Sequence, residues 1–121
     1  MMITVVIADR LGKGQNVAKG AEEAGANVIL VPGVGADMKL GDVMNENNAD
    51  FGISFCGSGG AGAITAQTKY QYPAQYGMRS IQEGITAIQN GKKALGFGFM
   101  DSADLGKSLV EAYKKKVNKD E

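Results

Sequence analysis

Hydrophobic positions along this chain follow two rhythms. Ile3 to Ala8 is a nearly continuous run rich in β-branched residues, the pattern of a strand buried on both faces. From Gln15 the period lengthens. Val17, Ala18, Ala21 and Ala24 recur at helical spacing with Glu22 and Glu23 outward, and Gly25 closes the helix because it takes positive φ without strain. Val28 to Val31 predicts a second strand, stopped at Pro32-Gly33. Asp37 is placed to cap a helix carrying Leu40, Val43 and Met44, which dies in Asn45-Glu46-Asn47-Asn48. Phe51 to Cys56 predicts a third strand.

A glycine-rich stretch, Gly57 to Gly62, then opens a helix running to about Thr68 and broken by Tyr70, Gln71, Tyr72 and Pro73. Residues 74–78 read equally as a short strand or an extended loop, since Pro73 permits a strand only after it. From Arg79 the helical period returns, with Ile81, Ile85 and Ile88 on one face and Gly91 at the end. Ala94 to Met100 predicts the last strand, thinned at Gly96 and Gly98 for close packing. Asp101 or Ser102 caps a final helix carrying Leu105, Leu109, Val110 and Tyr113. Lys114-Lys115-Lys116 suits its negative end or is a solvated tail.

Strands and helices therefore alternate. Short connections and right-handed crossovers make this a three-layer α/β/α, Rossmann-like single domain over 1–121, with a parallel sheet of four or five strands.

The chain is organised around Asp50 to Lys69, a strand, a glycine turn and a helix start. The turn has almost no side chains, so its N–H groups can approach an anion, and the helix dipole points its positive end the same way. Gly57, Ser58, Gly59, Gly60, Ala61 and Gly62 are the candidate anion-binding residues. The alternative is a tight turn with close helix–strand packing. No Gly-Lys-Ser/Thr follows, which excludes a Walker A loop, and the spacing differs from a dinucleotide fingerprint. Cys56 stands at the strand end. A thiolate at a helix N-terminus is stabilised by dipole and amides and serves as a base or a nucleophile, a phosphate acceptor included. Equally, a cysteine there is a small buried hydrophobe.

Asp9, Arg10 and Lys13 follow the first strand and share the carboxyl edge with Cys56, where ligands bind in doubly wound sheets. Arg10 or Lys13 can hold a phosphate or carboxylate there. Arg79 and Asp101 are candidates for the same edge. Tyr70, Tyr72 and Tyr76 either line the cleft mouth or make a subunit contact, the second being favoured.

Composition narrows the chemistry. There is no histidine and one cysteine, which excludes Ser-His-Asp and Cys-His catalysis, phosphohistidine and histidine metal sites, and makes a structural zinc improbable. No metal or cofactor is expected. Thirteen basic residues balance thirteen acidic ones, which argues against nucleic acid as partner and permits a homo-oligomer. No apolar run is long enough to span a membrane. The N-terminus lacks a basic n-region. Together with the single cysteine, this leads us to expect a cytoplasmic protein without a signal peptide.

Two resemblances appear at the glycine turn. Ser-Phe-Cys-Gly-Ser at 54–58, followed by Gly-Gly-Ala-Gly-Ala-Ile-Thr-Ala-Gln-Thr-Lys-Tyr, resembles the signature of the bacterial glycine-rich SFCGS family, over essentially the whole chain. Members of that family tend to be encoded beside membrane proteins and a sugar-acid phosphate aldolase, which implies a carbohydrate-catabolic context. More distantly, Cys56-Gly57-Ser58-Gly59 with Gly62, Ile64, Ala66 and Lys69 is similar to the turn of type-B ribose-5-phosphate isomerases, given one extra residue near Gly60-Ala61. That resemblance implies Cys56 as the proton-moving base, and Ser58 with the 59–62 backbone as the enediolate holder. The family's ring-opening histidine has no counterpart here, and Arg10 and Arg79 are the only arginines available for its phosphate.

The sequence thus leads us to expect a small protein that binds a phosphorylated sugar or sugar acid at the Cys56–Gly62 turn, with isomerase-like activity through Cys56. The alternatives are a phosphocarrier or regulatory subunit working with membrane transport proteins, and a non-catalytic assembly subunit.

Overall fold

The structure, a computed structural model, describes residues 2–9, 12, 14–33, 35–55, 61–98 and 100–120, the side chains of 119 and 120 excepted. Its elements are β1 (Thr4–Asp9), α1 (Gln15–Glu23), β2 (Asn27–Pro32), α2 (Ala36–Glu46), β3 (Phe51–Phe55), α3 (Ala61–Tyr70), β4 (Ala74–Met78), α4 (Ile81–Gln89), β5 (Ala94–Phe97) and α5 (Ala103–Asp120). The strands form one parallel sheet in the order β2-β1-β3-β5-β4. The expected three-layer α/β/α architecture is what forms, in its five-stranded version. Residues 74–78 are the edge strand β4, paired to β5, with an irregularity between Gln75 and Met78 beside Gly77 at φ +76.

Burial explains the sequence patterns. All five residues of β3 are buried, whereas edge strand β2 is buried only at Val31. Alternation along β1 sends Val5 and Ile7 into one core and Val6 and Ala8 into the other. The first core is closed by α1, α4 and α5 through Val17, Ala21, Ile88, Leu105 and Leu109. The second is closed by α2 through Leu40 and Met44, with Ala63 and Ala66 of α3 against Ala94. Right-handed crossovers require this split: steps toward β2 carry α1 and α4, and steps toward β4 carry α2 and α3.

α1 and α5 meet backbone to backbone. A Cβ on Gly20 would lie 1.9 Å from the Ala103 carbonyl oxygen, and one on Gly106 would lie 2.0 Å from that of Val17.

Several boundaries differ from expectation. Helix α3 runs two residues beyond Thr68 and stops where Gln71 takes φ +59. Strand β5 ends at Phe97, three residues before Met100. At α5, Ser102 is the cap: Leu105 N donates to its Oγ at 3.2 Å. Asp101 instead accepts from Val17 N at 2.9 Å, tying α1 to the start of α5. Helix α4 is capped by Ser80: Glu83 N donates to Ser80 Oγ at 3.2 Å, and Glu83 Oε1 accepts from Ser80 Oγ at 3.0 Å and from Arg79 N at 3.3 Å. The expected capping role of Asp37 is not observed. Gly35 holds the N-cap position of α2 without a side-chain bond, because the helix begins at Ala36 and puts Asp37 inside its first turn, where its carboxylate accepts from Ser54 Oγ.

Candidate functional site

All strands are parallel, so β1, β3, β4 and β5 end on one edge, and each following helix begins there. Chain direction reverses between β1, which leads toward β2, and β3, which leads toward β4. A crevice at that switch point is where open α/β sheets receive ligands. Of the expected site residues, Cys56, Gly57, Ser58, Gly59 and Gly60, together with Arg10 and Lys13, lie outside the described residues. Asp9, Ala61, Gly62 and Arg79 are described, and all four are on this edge.

Where the chain enters α3, three elements are tied by one hydrogen-bond chain. Gly62 N donates to Ser54 Oγ at 3.1 Å, and Ser54 Oγ donates to Asp37 Oδ1 at 2.8 Å. Ser54 is fully buried in β3, and Asp37, in the first turn of α2, is 7% exposed. A carboxylate in that position also suits the positive end of α2. Gly62 is glycine because a Cβ there would stand 2.6 Å from Ser54 Oγ and 2.7 Å from the Asp37 carbonyl oxygen. Its φ is not positive. At Gly62 the close-packing reading of the turn therefore holds, and its amide is committed within the fold.

Asp9 ends β1 and is 7% exposed. Its Oδ1 accepts from Gly14 N at 3.1 Å, and its Oδ2 faces Gln15 Nε2 at 3.5 Å. The carboxylate orders the entry to α1.

Arg79 leaves the end of β4 exposed, and its side chain crosses back over the end of β5. A side-chain carbon on Gly98 would stand 2.6 Å from its Nη1. Strand β5 neighbours β3, with Phe97 opposite Phe55, so the guanidinium reaches toward the sheet centre. Among the described residues the one ion pair is Lys69–Asp42, which leaves Arg79 without a carboxylate partner there.

The tyrosines belong to the opposite end. Tyr70 closes α3 and stacks on Tyr72 with centroids 5.5 Å apart. Lys93 Nζ sits 4.7 Å above the Tyr72 ring. This cluster lies at the amino edge of the sheet, so Tyr70 and Tyr72 do not line the mouth of the crevice. Tyr70 and Lys69 both donate to Asp42 Oδ1, at 2.6 and 2.7 Å. The Lys69 bond, then the Tyr70 bond, hold the Asp42 carboxyl below its usual range. Tyr76, on β4, is exposed.

A groove of about 720 Å³ lies between α4 and α5. Gln89, Glu111 and Lys115 on its lining are exposed. The hydrogen-bonded polar chemistry instead converges on the strand ends. Among the described residues, no group of three acidic, histidine or cysteine side chains gathers to hold a metal, and no helix is long and apolar enough to cross a membrane.

Sequence reasoning marked the turn but missed the Ser54–Asp37 pair. The signal available was a single serine inside an otherwise apolar run, which must find a partner if buried.

A sequence model of the family described as Glycine-rich SFCGS matches residues 3–116. Comparison with curated proteins returns no match. Among solved structures, ribose-5-phosphate isomerase B from Giardia lamblia superposes with TM-score 0.71 at 18% identity, covering 93% of this chain and 94% of that one. The Mycoplasma genitalium ribose-5-phosphate isomerase B with bound ribulose-5-phosphate gives TM-score 0.71 at 15% identity, covering 95% and 86%. The Thermotoga maritima ribose 5-phosphate isomerase gives 0.66 at 19%, covering 94% and 87%. At these identities the likeness is one of fold.

Proposed function

Since the chain belongs to the glycine-rich SFCGS family and folds like type-B ribose-5-phosphate isomerases, we propose that it binds a phosphorylated sugar or sugar acid at the carboxyl edge of its sheet. The observation that carries this reading is Arg79. It is a cation without a carboxylate partner among the described residues, drawn over Gly98 on the edge where α3 presents its positive end. A guanidinium that reaches back over β5 toward the helix start at the end of β3 suits a phosphate or carboxylate. Cys56, Ser58 and Gly59 to Ala61 complete the proposed site, with Arg10 and Lys13 from the β1 side.

The reaction we propose is aldose–ketose interconversion. In the open-chain aldose the C2 proton is acidic because it lies α to the C1 carbonyl. The Cys56 thiolate takes it, and the bonding electrons move into the carbonyl to give an enediolate with negative O1. Amides of the turn hold that charge. A proton passes from O2 to O1, and the thiol returns its proton to C1. C1 is reduced and C2 oxidised within one molecule, so no cofactor is consumed. With no histidine in the chain, the reaction starts from the open-chain form.

The test is thermal shift with ribose 5-phosphate, sugar-acid phosphates and inorganic phosphate, followed by an isomerisation assay with any that bind. Wild type gains midpoint with at least one of them. Arg79→Ala weakens that binding about tenfold, the low end for a charged hydrogen bond at an exposed site. Cys56→Ser binds but no longer isomerises. Absence of any shift in wild type would sink the binding claim, and full activity in Cys56→Ser would sink the catalytic one.

A further inference from the structure

We infer that Asp37, Ser54 and Gly62 form a clamp that fixes the start of α3 against β3 and α2 on either side of residues 56–60, which makes Ser54 and Asp37 positioning residues for the site. The functional meaning of the clamp rests on the reading above; its existence does not. Only five residues separate Phe55, the last of β3, from Ala61, the first of α3. The Gly62 N to Ser54 Oγ bond of 3.1 Å links the residues that flank this segment on either side.

The bond has a fixed direction. A serine hydroxyl has one proton, and an ionised carboxylate only accepts. The Ser54 proton goes to Asp37 at 2.8 Å, so an oxygen lone pair is turned toward Gly62. The Gly62 amide belongs to the first turn of α3, whose N–H groups have no partner inside the helix. Its partner is a side chain on the neighbouring strand, itself held by the first turn of α2. The start of α3 is thereby referred to β3 and α2 together.

Packing enforces the same geometry, since the Gly62 Cα hydrogen faces Ser54 and the Asp37 carbonyl with no room for a methyl group. An apolar residue at position 54 would fill a fully buried strand at lower desolvation cost. What the polar chain adds is a directional bond between the end of β3 and the start of α3.

The experiment is amide hydrogen exchange over the turn and the first turn of α3, together with the rate of Cys56 alkylation by iodoacetamide at fixed pH. In Ser54→Ala and Asp37→Ala these amides exchange at least tenfold faster. Amides of β1 and β5 keep their protection, and the alkylation rate changes several-fold. Asp37→Asn retains an acceptor for Ser54 and stays near wild type in both readouts. If one alanine variant fails to fold, the other and Asp37→Asn carry the test. Unchanged exchange at the turn, or equal acceleration of every amide, would overturn the clamp. A wild type that binds no sugar phosphate while Ser54→Ala loosens only the turn would remove the proposed function and leave the clamp standing.

Discussion

Replacing Gly62 with alanine sets two physical effects against each other. Helix propensity alone favours the change: alanine within a helix is better than glycine by about 0.5–1 kcal/mol. The tertiary structure opposes it. The new Cβ would lie 2.6 Å from Ser54 Oγ, 2.7 Å from the Asp37 carbonyl oxygen and 3.0 Å from Ser54 Cβ. The carbonyl oxygen belongs to the backbone of α2 and cannot rotate away. Relief therefore needs α3 to lift from β3, which stretches the Gly62–Ser54 bond. Overpacking of this kind costs about 1–3 kcal/mol, and weakening the bond adds about 1 kcal/mol. After subtracting propensity, the net loss is roughly 1–3 kcal/mol. For 121 residues, at about 2 cal/mol/K per residue, 2 kcal/mol lowers the melting midpoint by about 8 °C. Calorimetry or a circular-dichroism melt reads this directly. A Gly62→Ala protein melting at or above wild type would refute the close approach, and with it the clamp geometry.

Two further substitutions probe other contacts. Gly106→Ala places a methyl 2.0 Å from the Val17 carbonyl oxygen, so α1 and α5 must separate. The expected loss is about 3 kcal/mol, the upper part of the overpacking range, read as a lowered urea midpoint; a gain in stability would contradict the crossing. Tyr113 is half-buried and donates to Asp50 Oδ1 at 3.0 Å. Burial first, then that bond, push its pKa up to about 12 from 10.0. The fold thus favours the protonated phenol. The associated stability is complete below pH 10 and is lost as pH rises through about 12. Tyr113→Phe should cost about 1 kcal/mol at neutral pH and flatten the decline in stability between pH 10 and 12. An unchanged alkaline slope in the variant would refute the assignment.

Legibility from sequence followed the range of the forces involved. Apolar runs of strand length and helical spacing are local, so nine of the ten elements and their order are legible, and Gly25 and Gly91 close α1 and α4 at positive φ. Segment 74–78 stayed open because its pairing with β5 is a contact between distant residues. Ser80 with Glu83 three residues on is a cap signal in the letters, and it sets the helix start at Ile81 rather than at Arg79.

The sequence by itself determined the α/β class, the handedness and the edge of the sheet on which polar chemistry gathers, because period, chain order and chirality leave few other packings. The tertiary structure decided which polar group meets which. Asp37 looks like a helix cap in sequence, but its carboxylate takes the Ser54 hydroxyl, seventeen residues away. Asp101 reaches Val17, eighty-four residues away. Gly62 looks like an anion-binding amide, but its N–H is spent on Ser54. Buried polar groups must be paired, and the partners that satisfy them are set by which strands and helix starts come together in space.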